Sequence, residues 1–147
     1  MQLLICGIPG TGKSTFSRWL AAQHSYVHVD VDVGVSTPLD ELMKSPRLVI
    51  DWGFPLASFA TVEALIERGL EPWWFDGDRG AALSSFLSRG NVPKVAWDQQ
   101  LAGIESRWQD IARLFRGRIL NVIAPGPIHM QMEERFTQIT GSRDPHA

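Results

Sequence analysis

The chain has 147 residues, 44% of them hydrophobic and 20% charged, with a formal net charge of −2. That length supports one domain with its own core, and the balance excludes a disordered polypeptide. The slightly acidic sum gives no general attraction to nucleic acid or anionic membranes, and one cysteine, Cys6, excludes an internal disulfide. No basic segment precedes the first apolar run, which Gly7 ends early. Neither a signal peptide nor a membrane span is expected, and a cytoplasmic setting is the default.

Residues 2–6 are continuously apolar, as in a strand buried on both faces. From Lys13 the pattern turns helical, with Phe16, Trp19 and Leu20 on one stripe. A second strand runs Tyr26–Asp30, and its alternation continues through Val31 to Asp32. Thr37 is the expected N-cap of a short helix with Pro38 in its first turn, which Ser45-Pro46 interrupts. Arg47–Asp51 is a third strand. A helix opens at Pro55 with Leu56, Phe59, Val62, Leu65 and Ile66 inward, and Arg68-Gly69 closes it. Glu71–Asp76 is a fourth strand, and residues 80–88 form a short helix. A longer helix carries Leu101, Ile104, Trp108, Ile111 and Phe115. Arg118–Ile123 is a fifth strand, broken by Pro125-Gly126-Pro127, and a final helix covers about 128–139. Five strand–helix repeats predict a single α/β domain over 1–147 with a mainly parallel sheet.

The stretch Gly7-Ile8-Pro9-Gly10-Thr11-Gly12-Lys13-Ser14-Thr15 fits the phosphate-loop pattern G-x-x-x-x-G-K-[ST], set between a strand and a helix as that pattern requires. Its glycines let backbone N–H groups turn inward around an anion, and the following helix adds a positive dipole end. Lys13 would reach the β- and γ-phosphates, and the Ser14 hydroxyl would sit on Mg²⁺.

Three aspartates narrow the chemistry. Asp51 ends an apolar strand and fits the carboxylate that holds Mg²⁺ directly or through water. Asp30 and Asp32, two apart on a strand, share a face at the sheet edge where ligands bind. Phosphoryl transfer to a hydroxyl gains from a carboxylate that orients the acceptor and takes its proton. His28 lies on the same face but reads as a packed or hydrogen-bonded histidine, and His24 likewise.

A phosphate loop followed by a strand ending D-x-D resembles the small P-loop kinases, such as shikimate and gluconate kinases. Leu48-Val49-Ile50-Asp51-Trp52-Gly53-Phe54 is similar to a related branch that includes polynucleotide 5′-kinase, zeta toxin and chloramphenicol phosphotransferase. The resemblance implies a three-layer fold with five strands in the order 2-3-1-4-5, ATP with Mg²⁺, and a hydroxyl acceptor. It assigns the proton acceptor to Asp32 and the metal side to Asp30, with the roles open to exchange. It also implies a lid at about 77–117, whose arginine would stabilise the transferred group; among Arg79, Arg89, Lys94 and Arg107, Arg89 is the best placed. Backbone around Asn121 and Ala124–Pro127, Pro125 included, would border adenine. Trp19, Trp73, Trp74 and Trp108 read as core, whereas Trp52 and Trp97 near loop ends are candidates for the acceptor pocket.

The leading expectation is an ATP-dependent kinase for a small-molecule alcohol. The alternatives are a 5′-hydroxyl polynucleotide kinase, for which no basic cluster speaks, and an ATP-binding module without turnover. A GTPase is disfavoured because no N-K-x-D element follows the later strands.

Overall fold

A computed structural model describes residues 1–32, 37–53, 58–90 and 92–141. Along the chain the elements are β1 (Gln2–Gly7), α1 (Lys13–His24), β2 (Val27–Asp30), α2 (Leu39–Leu42), β3 (Leu48–Asp51), α3 (Phe59–Glu67) and β4 (Glu71–Gly77). They continue with α4 (Arg79–Leu87), α5 (Lys94–Ser106), α6 (Trp108–Leu114), β5 (Ile119–Ala124), β6 (Ile128–His129) and α7 (Met132–Gly141). One sheet takes the strands in the order β2-β3-β1-β4-β5-β6. The first five are parallel and β6 runs antiparallel to β5.

The two faces of the sheet explain the unbroken apolar strands. Leu4, Cys6, Leu48, Ile50 and Trp74 face one core with Val62, Phe86, Ile104 and Phe115 from the helices. Leu3, Ile5, Val49, Trp73 and Phe75 face the other, against Phe16, Leu20 and Ile139 of α1 and α7. Alternate residues of each strand thus serve opposite layers, which is why no polar position interrupts them. The two tryptophans of β4 bring polar N–H groups into these cores and satisfy them locally. Trp73 Nε1 donates to Glu71 Oε1 at 2.9 Å, and Trp74 Nε1 to Asp76 Oδ2 at 2.8 Å.

Several expectations need correction. The sheet has six strands, not five: β6 is two residues long, too short to show a period, and it begins where a helix was expected. The single helix expected to carry Leu101 through Phe115 is two helices, because the turn is broken at Arg107, which lies at φ −115°. At the start of α2, Pro38 takes the cap position in place of Thr37, with no side-chain cap bond. Pro55 and Leu56 lie outside the described residues. No helix among the described residues is long and apolar enough to cross a membrane.

Candidate functional site: a phosphate loop facing three aspartates

The loop between β1 and α1 is shaped by its glycines. Gly10 has φ +85°, and a Cβ there would stand 2.1 Å from the Ala82 carbonyl oxygen of α4. Only glycine combines that backbone conformation with that approach. Gly10→Ala is therefore expected to force loop and α4 apart and to weaken nucleotide binding at least tenfold, as titration calorimetry would read. Gly12, at φ +76°, is the N-cap of α1; it offers no side-chain cap, and the first turn holds no acidic residue. The helix thus leaves its first N–H groups and its positive end to whatever anion sits in the loop. Inside the loop, Thr11 Oγ1 donates to the Ile8 carbonyl at 2.8 Å.

Lys13 is half-buried, and its ammonium donates to the carbonyls of Gly7 at 3.2 Å and Ile8 at 2.9 Å. Burial is the main reason its pKa falls to about 8. With a folded value below the unfolded one, the folded chain binds fewer protons between about pH 8 and 10.5, so this residue adds stability as pH rises through that window. A Lys13→Met variant lacks the effect. The stability of the parent relative to Lys13→Met is expected to increase from pH 7.5 to 10, measured by urea unfolding.

The strand ends β2 and β3 bring the three aspartates to Ser14. Asp30 pairs in register with Asp51, and the Ser14 Oγ lies 3.4 Å from Asp30 Oδ2 and 3.3 Å from Asp51 Oδ1. One oxygen of each aspartate falls within 4.8 Å of the others. Oxygens sharing one Mg²⁺ stand about 3–4 Å apart, so an all-oxygen donor set of this spacing suits that hard cation. Asp32 follows in the turn after β2. Its backbone N–H donates to Asp30 Oδ1 at 3.0 Å, while its Oδ2 accepts the Gly53 N–H at 3.1 Å. Desolvation, then the charges of Asp30 and Asp51, raise the Asp32 pKa against the lowering effect of that Gly53 bond.

Lys13, Ser14, Asp32 and Asp51 line one cavity of about 390 Å³, with Asp30 beside it. Pro9, Gly10, Lys13 and Ser14 form its loop side, and Asp32, Asp51 and Gly53 its strand-end side. Phe86, Arg89, Val92 and Gln100 close it from the segment after β4. Arg89 thus lines the cavity, whereas Arg79 pairs with Asp76. Lys94 pairs with Asp98 at 3.2 Å, and Arg107 with Asp110 at 3.0 Å. Pro125 sits in the exposed turn between β5 and β6 and is not among the cavity-lining residues. The acceptor-pocket expectation for Trp52 and Trp97 fails: they are 8% and 3% exposed, and Trp97 packs on Phe86 at 5.8 Å. Their apolar surface is worth more inside the core than at a wet cavity wall.

One residue behind the phosphate loop is not signalled by any motif of the sequence. Arg135 of α7 is fully buried, with its guanidinium over the Phe75 ring. Nη1 donates to the Thr11 carbonyl at 2.7 Å and Nε to the Met130 carbonyl at 3.0 Å, while Nη2 has no hydrogen-bond partner among the described residues. Burial lowers its pKa to about 10, which still leaves it charged at neutral pH. The available signal was a cation on an apolar stripe, since Met132, Phe136 and Ile139 mark the inward side of α7 and Arg135 falls between them. His28 is the hydrogen-bonded histidine that the sequence leads one to expect: its Nε2 lies 2.8 Å from Asp51 Oδ2, which fixes that buried carboxylate with Oδ1 toward Ser14.

No family model matches the sequence, and no curated protein sequence matches it either. Solved structures do. A gluconokinase from Sinorhizobium meliloti 1021 superposes with a TM-score of 0.58 at 14% identity, covering 97% of each chain. A shikimate kinase from Bacteroides thetaiotaomicron gives 0.55 at 15% identity, covering 97% of this chain and 93% of that one. The chain has the small P-loop kinase fold. In such an open α/β sheet ligands bind beyond the carboxyl ends of the strands. In this chain the P-loop kinase fold puts the loop after β1, the ends of β2 and β3, and the start of α4 at that edge.

Proposed function

We propose that this protein is a kinase that moves the γ-phosphoryl group of ATP to a hydroxyl of a small molecule. The observation that carries the reading is the meeting of Ser14, Asp30, Asp32 and Asp51 beside the phosphate loop, in a cavity that Arg89 also lines. A site that only holds a nucleotide needs the loop and a metal ligand. It has no use for a further carboxylate of raised pKa held beside them at the cavity wall.

In this reading the whole chain, 1–147, is one domain, and residues 77–117 cover the site. The backbone N–H groups from Gly10 to Thr15 and the Lys13 ammonium take the β- and γ-phosphates. The turn holding Pro125, at the end of β5, borders the adenine. Ser14, Asp51 and Asp30 would hold Mg²⁺, which when bound would supply positive charge to the transferring phosphate. Asp32 accepts the proton of the acceptor hydroxyl as its oxygen forms the new bond to the γ-phosphorus. The bond from that phosphorus to the bridging oxygen breaks, and the electron pair leaves with ADP. Lys13 and Arg89 stabilise the charge spread over the transferring group.

The test is transfer of label. Incubation with γ-³²P-ATP, Mg²⁺ and a small-molecule metabolite extract is expected to yield a labelled phosphate ester, and Lys13→Ala none. ATP binding without any labelled product points instead to a module without turnover. Labelling of a 5′-hydroxyl oligonucleotide alone would make the protein a polynucleotide-end kinase.

A further inference from the structure

We infer that the acceptor is a non-anionic alcohol, uncharged or carrying an amine, and not a carboxylate or a phosphate ester. The inference rests on the kinase reading above and concerns the other half of the same cavity. Of the described residues lining that cavity, only Lys13 and Arg89 are cations, and Arg89, on the segment after β4, lies near enough to Lys13 for its charge to add to burial in lowering the lysine's pKa, so both serve the phosphates. Apart from the loop and Asp51, which lies on the metal side, the described wall is Asp32, Gly53, Phe86, Val92 and Gln100: one carboxylate, a backbone edge, two apolar side chains and one amide.

The residues that follow Asp32 and Gly53 and precede Val92 in the sequence carry no positive charge. Residues 33–36 read Val-Gly-Val-Ser, 54–57 read Phe-Pro-Leu-Ala, and residue 91 is Asn; none carries a charge, wherever its side chain lies. The nearby arginines and lysines are engaged elsewhere. Arg79 is on Asp76, Lys94 on Asp98, Arg68 on Asp40, and Arg107 on Asp110 and over the Phe59 ring. The Arg135 guanidinium is buried behind the phosphate loop.

An acceptor carboxylate in this wall would face Asp32, with Asp51 and Asp30 behind it, and would find no cation to replace its lost water. Burying an unpaired anion beside like charges is disfavoured strongly enough for at least a hundredfold discrimination. A neutral polyol or an amino alcohol meets no such penalty. Its hydroxyl gives a proton to Asp32, its apolar face lies on Phe86 and Val92, and Gln100 can both donate to and accept from its other polar groups. An ammonium group would gain further from the aspartates.

The test splits a small-molecule extract on an anion exchanger at neutral pH and offers each fraction with γ-³²P-ATP and Mg²⁺. Phosphate esters are expected to form from the unretained fraction, at least a hundred times faster than from the retained one. Equal or faster labelling of retained acceptors overturns the inference and leaves the kinase reading standing. No transfer from either fraction, with ATP still bound, removes both. The Gln100→Arg variant adds a cation to the acceptor wall and is expected to raise labelling from the retained fraction at least tenfold. A variant that binds ATP as the parent does but shows no such rise would mean that this wall does not meet the acceptor, and the inference falls.

Discussion

Asp32→Asn is expected to lower kcat about 100- to 10,000-fold while leaving the Kd for ATP within about twofold. The substitution keeps the shape of the side chain, and the amide oxygen can still accept the Gly53 N–H that now holds Asp32 Oδ2. What it removes is the capacity to take a proton. The raised pKa of Asp32 brings its basicity closer to what proton transfer at neutral pH requires, and its place in the cavity puts it beside the acceptor. Asp30, by contrast, spends one oxygen on the Asp32 N–H and turns the other toward Ser14. Asp30→Asn is therefore expected to raise the Mg²⁺ concentration needed for half-maximal activity. Single-turnover phosphoryl transfer at saturating Mg²⁺ separates the two: if Asp30→Asn carries the loss there and Asp32→Asn does not, their roles are exchanged.

Arg135→Met should cost about 10- to 100-fold in ATP affinity and leave adenosine affinity unchanged. The guanidinium makes a charge-assisted bond to the Thr11 carbonyl, and such bonds contribute about 1.5–3 kcal/mol. Holding that carbonyl away from the anion keeps the neighbouring N–H groups turned toward it, and a buried positive charge behind the loop favours phosphates through a weakly screening medium. Neither effect touches a ligand without phosphate. Methionine has nearly the length of arginine and removes a desolvated cation, so the stability of the free protein is expected to change by less than about 2 kcal/mol. Equal losses of ATP and adenosine affinity, tracking a fall in Tm, would reduce Arg135 to a packing residue.

The fold was legible because its signals are local and redundant. Leu3 to Cys6 and Leu48 to Ile50 are unbroken apolar runs, and a strand clothed on both faces permits nothing else. The phosphate loop and the three aspartates were legible for a related reason: each sits at the last turn of a strand, so the order of the elements already places them at one edge. What stayed hidden depends on distance across the chain. Arg135 reaches Thr11 from 124 residues away, and nothing in the local pattern of α7 names its target. Trp52 and Trp97 sit near element ends, which suggested open positions, but both turn into the core cluster between the sheet and its helices, Trp97 from α5 onto Phe86 of α4. The two-residue β6 owes its strand character to pairing with Ile123 and Ala124.

The contact between Gly10 and the Ala82 carbonyl has a consequence for the timing of catalysis. Loop and α4 touch backbone to backbone, with no side chain between them that could yield. Arg89 leaves the end of that helix, its N–H still 3.4 Å from the Phe86 carbonyl and its guanidinium 6.0 Å from the Phe86 ring centre. If the protein is the kinase proposed above, the helix that leads to Arg89 is thus held against the phosphate loop before any ligand binds and need not be brought up afresh in each cycle. Chemistry in such a site should be quick once the acceptor is seated, which leaves departure of the products as the slow event of the turnover.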